Sequence, residues 1–175
     1  SDSMMKQAQS IGFDLDGVSV VARGGESILK AAQRAGHDIP HLCYSDGLRA
    51  DGNCRACVVE IEGERALAPS CCRQPTEGMV VYSNNDRARQ SQALVLELLK
   101  ADVGEAKFTG TSELDQWCDR LNVGPSRFAS RNQPMADVSH PAIAVNLEAC
   151  IQCTRCLRAC REEQANDVIG FAHRG

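Results

Sequence analysis

Aromatic residues are scarce in this chain: Phe, Trp and Tyr together make up 4 % of its 175 residues. A core short of large rings buries less apolar area, and small domains with thin cores are often held together by metal. Long hydrophobic runs are missing too. The longest, Ala93 to Leu99, is interrupted by Glu97 and falls far short of the roughly 20 residues that cross a bilayer, so no membrane partner is expected. The opening Ser1-Asp2-Ser3-Met4-Met5-Lys6-Gln7 has no apolar stretch of the kind a secretory leader needs. No block of five or six basic residues occurs, and 19 Lys+Arg against 23 Asp+Glu leave a net charge of −4, which argues against nucleic acid as a partner. There is no Ser/His/Asp grouping, glycine-rich phosphate loop or dinucleotide fingerprint. No residue is therefore assigned a catalytic, bond-making role.

What the chain does have is cysteine, ten residues of it. That content is high, yet below the density of secreted disulfide scaffolds. Without a leader the expected location is the reducing cytoplasm, where such cysteines bind metal more often than they pair. Cys43, Cys54, Cys57 and Cys71 are spaced C-x10-C-x2-C-x13-C. Thiolates are soft ligands, and a tetrahedral sulfur site selects zinc or iron–sulfur chemistry over hard cations. Cys54-x2-Cys57 alone would suit a zinc ribbon, but zinc ribbons present two C-x2-C knuckles and here the other two ligands are single and distant. A 2Fe-2S cluster is the better reading. Only one of the neighbours Cys71 and Cys72 should be a ligand, and spacing does not settle which. Gly47 and Gly52 permit positive φ, letting backbone N–H groups turn toward sulfur. Arg55 adds a positive charge that would raise the potential, and plant-type two-iron centres sit near about −400 mV. His41, two residues before Cys43, is a tuning candidate, although a loop histidine is more often merely solvated.

A second run, Cys150, Cys153, Cys156 and Cys160, is spaced C-x2-C-x2-C-x3-C, the pattern of cubane ferredoxins, in which three cysteines hold one 4Fe-4S cluster and the fourth holds its neighbour. Arg161 stands where the small bacterial motif has Pro. No reciprocal run appears before Gly175, so these cubanes need ligands from beyond the chain. Truncation of a longer polypeptide is the preferred explanation, because Asp167 to Phe171 reads as a strand without its hairpin partner; a completing subunit and poor metal uptake are the alternatives. Cys118 lies on an apolar helical stripe and reads as a buried, inert thiol. His37, His41, His140 and His173 are scattered, with no His-x3-Cys neighbour.

The expected fold class is α+β. Ile11 to Asp14 and Val18 to Ala22 flank Asp16-Gly17, a dipeptide suited to a hairpin turn. Glu26 to Ala35 carries apolar residues at 28, 31, 32 and 35 and ends before Gly36, a helix with its stop. Strands are expected near Val58 to Glu62 and Met79 to Tyr82. Together these make a β-grasp 2Fe-2S ferredoxin-like domain over 10–84. A helical connector follows over 85–123, with helices at Ala88 to Ala101 (Leu94, Val95, Leu98 and Leu99 on one face) and Ser112 to Leu121. Ser112 and Asp115 resemble a capping box. Residues 124–141, with Pro125, Pro134 and Pro141, read as an irregular linker. Residues 142–175 form a partial bacterial-ferredoxin-like 4Fe-4S segment opened by a strand at Ala142 to Asn146.

Cys43-Tyr44 through Asp51-Gly52-Asn53-Cys54-Arg55-Ala56-Cys57-Val58-Val59-Glu60, returning at Cys71, resembles the two-iron domain of the large iron–sulfur subunit of complex I. The same domain occurs in NAD-reducing hydrogenases and in the alpha subunit of NAD-dependent molybdenum or tungsten formate dehydrogenases. The stretch from Cys150 to Gln164, continuing into Asn166-Asp167-Val168-Ile169-Gly170, most resembles that alpha subunit. The family pattern favours Cys71 over Cys72. Complex I and hydrogenase subunits carry a His-plus-three-Cys motif between the two regions; here Leu99 to Pro141 holds only Cys118. The resemblance implies an electron-transfer module whose partners are a flavin/NAD-binding subunit, iron–sulfur subunits and a molybdopterin catalytic domain absent from this chain. A zinc-stapled interaction domain without redox duty and a stand-alone ferredoxin are the alternatives.

Overall fold

Apolar residues alternating with polar ones set the first two strands. In this computed structural model β1 (Ile11–Leu15) and β2 (Val18–Ala22) pair antiparallel, Ile11 opposite Ala22 and Leu15 opposite Val18. Asp16 and Gly17 both take positive φ, 52° and 84°, the two-residue turn whose twist matches the flanking strands. Phe13, Leu15, Val20 and Ala22 are buried, whereas Val18 and Val21 are exposed. The residues described are 10–45, 47–103, 112–124, 126–128, 137–140, 143–145, 150–151 and 153–163. They fall into two compact units: the chain up to His41 with Arg55–Gln92, and Leu42–Cys54 with the chain from Ala93 on.

In the first unit α1 (Ile28–Arg34) follows the hairpin. It is shorter at its start than the expected Glu26–Ala35, because Ser27 takes the cap position and its hydroxyl accepts the Lys30 N–H. Glu26 instead folds back onto Arg34 at 2.6 Å and accepts the Arg23 N–H. The helix closes with Gly36 N–H to the Gln33 carbonyl and His37 N–H to the Ala32 carbonyl, which satisfies carbonyls the last turn would leave unmet. Ile28, Leu29, Ala31 and Ala32 are fully buried, and burial of a Leu or Ile side chain is worth about 1.5–3 kcal/mol.

Three more strands complete a five-stranded mixed sheet, β3 (Val58–Ile61), β4 (Ala68–Pro69) and β5 (Val80–Tyr82), in the order β2-β1-β5-β3-β4. β5 runs parallel to β1 and antiparallel to β3. The α+β expectation holds, with a mixed sheet of the kind that suits a ferredoxin-like domain. β4 is an addition to the expected strands; it is two residues long and on the sheet edge, where the missing N–H of Pro69 is tolerated. Arg34 donates to the Val21 carbonyl at 2.6 Å on the opposite edge strand, β2.

Helix α2 spans Asp86–Val103. Its buried positions include Ala88, Gln92 and Leu96, four residues apart, whereas Leu94 and Leu98 are 42 % and 44 % exposed. That corrects the expected apolar face. The rotation follows from Gln92, whose amide nitrogen donates to the Val58 carbonyl (2.9 Å) and the Ser83 carbonyl (3.0 Å). Two buried carbonyls that must be met outweigh the preference of two leucines.

In the second unit α3 (Glu113–Arg120) buries Leu114, Trp117 and Cys118, as its periodicity predicts. Ser112 accepts the Asp115 N–H, but Asp115 accepts from the Ser112 hydroxyl at 2.8 Å, a different reciprocal bond from that of a Ser/Glu box. The stretch read as linker ends in a strand: β6 (Asp137–His140) pairs antiparallel with β7 (Ile143–Val145). α4 (Arg155–Arg158) continues into one wider π turn over Ala159–Glu163. The strand expected at Asp167 to Phe171 lies outside the described residues. Among the described residues no helix is long and apolar enough to cross a membrane.

Replacing Gln92 with Leu should destabilise the chain by about 1–3 kcal/mol, since it strands the carbonyls of Val58 and Ser83 away from water. Urea titration would show this as a lower midpoint with an unchanged slope; an unchanged midpoint would mean that the carbonyls find other donors.

Candidate metal centre

Ladder register positions the first pair of thiols. Val58 opposite Pro69 and Val59 opposite Ala68 bring Cys57 and Cys71 to the same end of the β3–β4 pair. Ser70, fully buried, then donates twice to the Cys57 carbonyl, from its N–H at 3.1 Å and its hydroxyl at 2.7 Å. From the other side Leu29 N–H donates to the Ser70 carbonyl and Ile28 N–H to that of Arg73, both at 2.9 Å. These are first-turn groups of α1 with no partner inside the helix. The segment around Cys71 is thus held by a strand and by a helix end. Cys71 is 2 % exposed and Cys72 lies outward, their sulfurs 3.6 Å apart.

The second pair belongs to the other unit. Cys43 and Cys54 sit at either end of an irregular loop, and the Cys43 N–H points at the Cys54 sulfur, N to Sγ 3.5 Å. Gly47 and Gly52 have φ of 86° and 63°, the backbone conformation anticipated from the sequence and one that side chains resist. Arg55 also has positive φ (58°) but is exposed, so water screens its charge and weakens the tuning role expected of it. Both ring nitrogens of His41 are engaged: Nδ1 with the Ile39 carbonyl at 2.9 Å and Nε2 with the Gln33 amide at 3.4 Å.

The donor set fits a two-iron cluster. Four-coordinate iron bonded to two bridging sulfides has two places left for thiolates, so the cluster asks for cysteines two by two. Cys43, Cys54, Cys57 and Cys71 are all buried, at 1 %, 8 %, 1 % and 2 % exposure, and none of the chain's cysteines is in a disulfide. Among the described residues no group of three or more His, Cys, Asp or Glu side chains is drawn together closely enough to grip a single metal ion.

The Cys150–Cys160 run places its thiols in unlike surroundings. Cys150 and Cys153 are half-buried, Cys156 is exposed and Cys160 buried. Burial pushes the Cys153 thiol up, against the Arg155 N–H that favours its thiolate, so a ligand role requires metal to displace that proton. Thr154 is in the left-handed region (φ 63°), a strained choice for a β-branched residue. Four residues that reading the sequence did not single out shape the two cysteine sets: Ser70 and Gln92 at the Cys57–Val58 carbonyls, and Thr154 and Arg158 within the second run. Only Arg158 left a trace, as a charge set between the apolar Leu157 and Ala159 within the cysteine run.

Cys118 is fully buried and its thiol is pushed up by that burial, so at pH 8 it has less thiolate than an ordinary cysteine. In the metal-free protein iodoacetamide should label the exposed Cys72 and Cys156 first and Cys118 last, with the gap narrowing as pH rises. Peptide mass spectrometry would reveal the order, and early labelling of Cys118 would contradict its burial.

Comparison with known proteins points to the same class of cluster. Residues 8–86 match the family described as 2Fe-2S iron-sulfur cluster binding domain. The chain is 30 % identical over 170 residues to an NADH-quinone oxidoreductase subunit of Rickettsia felis, covering 94 % of this chain and 25 % of that protein. It is 33 % identical over 168 residues to the like-named NADH-quinone oxidoreductase subunit of Rhizobium meliloti, covering 92 % and 20 %. With the mitochondrial 78 kDa subunit of NADH-ubiquinone oxidoreductase from Candida albicans the identity is 30 % over 181 residues, covering 97 % and 25 %. The chain therefore spans about a quarter or less of the length of these relatives. Among solved structures, a chain of NAD+-reducing NiFe-hydrogenase in the H2-reduced state superposes with a TM-score of 0.85 at 29 % identity, over 95 % of this chain and 72 % of that one. Residues 8–86 thus match a 2Fe-2S iron–sulfur cluster binding domain, in a chain similar to parts of NADH-quinone oxidoreductase and NAD+-reducing hydrogenase subunits.

Proposed function

We propose that this chain is the iron–sulfur electron-transfer module of an NAD-linked formate dehydrogenase complex. Cys43, Cys54, Cys57 and Cys71 hold its 2Fe-2S cluster, and Cys150, Cys153, Cys156 and Cys160 serve 4Fe-4S clusters completed by residues beyond this chain. When bound, such clusters supply reversible one-electron steps at potentials set by hydrogen bonds, net charge and burial. That is the chemistry needed between a molybdopterin site and a flavin subunit that reduces NAD. The observation that carries the reading is the set of four buried motif thiols within a matched 2Fe-2S domain. The Cys71 choice is supported by its burial against the exposure of Cys72. Formate rather than quinone or hydrogen is favoured by the sequence between 99 and 141, where Cys118 is the only cysteine, and by the resemblance of the Cys150–Gln164 stretch. The location that goes with this reading is the cytoplasm.

Two measurements test it. In protein prepared anaerobically with iron and sulfide, Cys57→Ser should abolish or shift the two-iron electron paramagnetic resonance signal, whereas Cys118→Ser should leave it intact. Loss of the signal on changing Cys118 would overturn the ligand assignment, and a colourless, zinc-loaded preparation would favour the interaction-domain alternative. The native complex that contains this chain should reduce NAD with formate and contain molybdenum or tungsten. A complex that instead reduces quinone with NADH, or NAD with hydrogen, would sink the formate assignment while leaving the relay role standing.

A further inference from the structure

Arg158 sits within the second cysteine run, yet its side chain is spent on the loop between Cys43 and Cys54. It is 5 % exposed. Its guanidinium donates to the carbonyls of Cys43 and Arg49, to the Cys153 carbonyl at 3.2 Å, and from Nε to the Thr154 hydroxyl at 3.1 Å. Thr154 in turn donates to Asp51 at 2.9 Å, and Arg49 N–H to Glu162 at 3.0 Å. Arg155 adds a longer contact to the Leu42 carbonyl, 3.4 Å. One fork of donors therefore spans the two ligand segments, joining the residue before Thr154 to the first cysteine of the other motif. Thr154 keeps its strained left-handed backbone inside this network, as happens where surrounding bonds over-determine a position.

The charge is the second half of the argument. A buried guanidinium needs an anion as well as acceptors. Among the described residues every group that accepts from the Arg158 guanidinium is neutral. Asp51 and Glu162 enter the network through the Thr154 hydroxyl and the Arg49 N–H rather than through the guanidinium itself. An iron–sulfur cluster with its thiolates is anionic and gains a further negative charge on reduction. A fixed cation hydrogen-bonded to a ligand residue's own carbonyl stabilises the reduced state more than the oxidised one.

We propose that Arg158 is a positioning and potential-setting residue for the cluster held in part by Cys43: it ties that ligand loop to the Cys150–Cys160 run and supplies the positive charge against which the cluster is reduced. The proposal rests on the 2Fe-2S reading above. It is tested on the intact chain, prepared anaerobically with iron and sulfide, by redox titration of the two-iron electron paramagnetic resonance signal. Arg158→Met should make reduction harder by about tenfold, which for one electron is about 59 mV more negative. Arg158→Lys should keep the midpoint close to the native one, because the charge stays, but should bleach faster under an iron chelator, because the planar fork is lost. Arg161→Gln, a charge removed from an exposed position of the same segment, should do neither. Equal midpoints for Arg158→Met and Arg161→Gln would overturn the proposal, and so would a Lys variant shifted as far as the Met variant. If Arg158→Met takes up no cluster, Arg158→Gln takes its place in both comparisons. A native chain without any two-iron signal would remove the reading underneath as well, an outcome distinct from a native signal that ignores Arg158.

Discussion

Cysteine reaches only as far as one side-chain torsion allows, so a thiolate site is built by placing backbone. The Cys57 carbonyl is the point on which that placement turns in the first unit. It receives two donors from Ser70, and Ser70 in turn gives its own carbonyl to the first turn of α1. Without this bracket β4, two residues long and on the sheet edge, would have little to hold it in register. The next carbonyl along, that of Val58, is taken by Gln92 of α2. Strand, loop and two helices thus converge on a dipeptide, and the core beneath them, including Leu29, Val59 and Val81, supplies the apolar burial that keeps the dipeptide from moving.

The loop from Cys43 to Cys54 is held by different means. It has no regular ladder, and its fixed points are the left-handed glycines, the Cys43 N–H aimed at the Cys54 sulfur, and the carbonyls taken by Arg158. Backbone acceptors met by a buried cation make a stiffer frame than solvated ones, because each bond left unmade in that interior is costly. The two thiol pairs differ accordingly: one is framed by neutral secondary structure, the other by charge.

How far the sequence reveals this depends on how local each device is. The Asp16-Gly17 hairpin, the Ser112 cap and the α3 stripe need only neighbours within a turn or two, and all of them are legible in the residues alone. The inward face of α2 is not. Leu94 and Leu98 offer the stronger local signal, but Gln92 is called on by carbonyls 34 and 9 residues away. β6 is hidden for the same reason, since pairing with β7 overrides a proline-rich surrounding that reads as irregular. The cysteines themselves are conspicuous by spacing alone, whereas Arg158 makes bonds to Arg49 and Cys43, 109 and 115 residues away along the chain. A charge among ligands is visible in the sequence; its direction is not.

The Arg34 side chain over the Val21 carbonyl has a bearing on how this sheet ends. Outer strands expose rows of hydrogen-bonding groups on which another polypeptide can lay itself down. Here an ion-paired guanidinium already occupies one rung, the Val21 carbonyl, and the exposed Val18 and Val21 of the same strand are the apolar footing such an intruder would want. Growth past the outermost strand must first evict a cation from its carboxylate, so the border of the sheet is guarded by a side chain from the helix that the sheet itself supports.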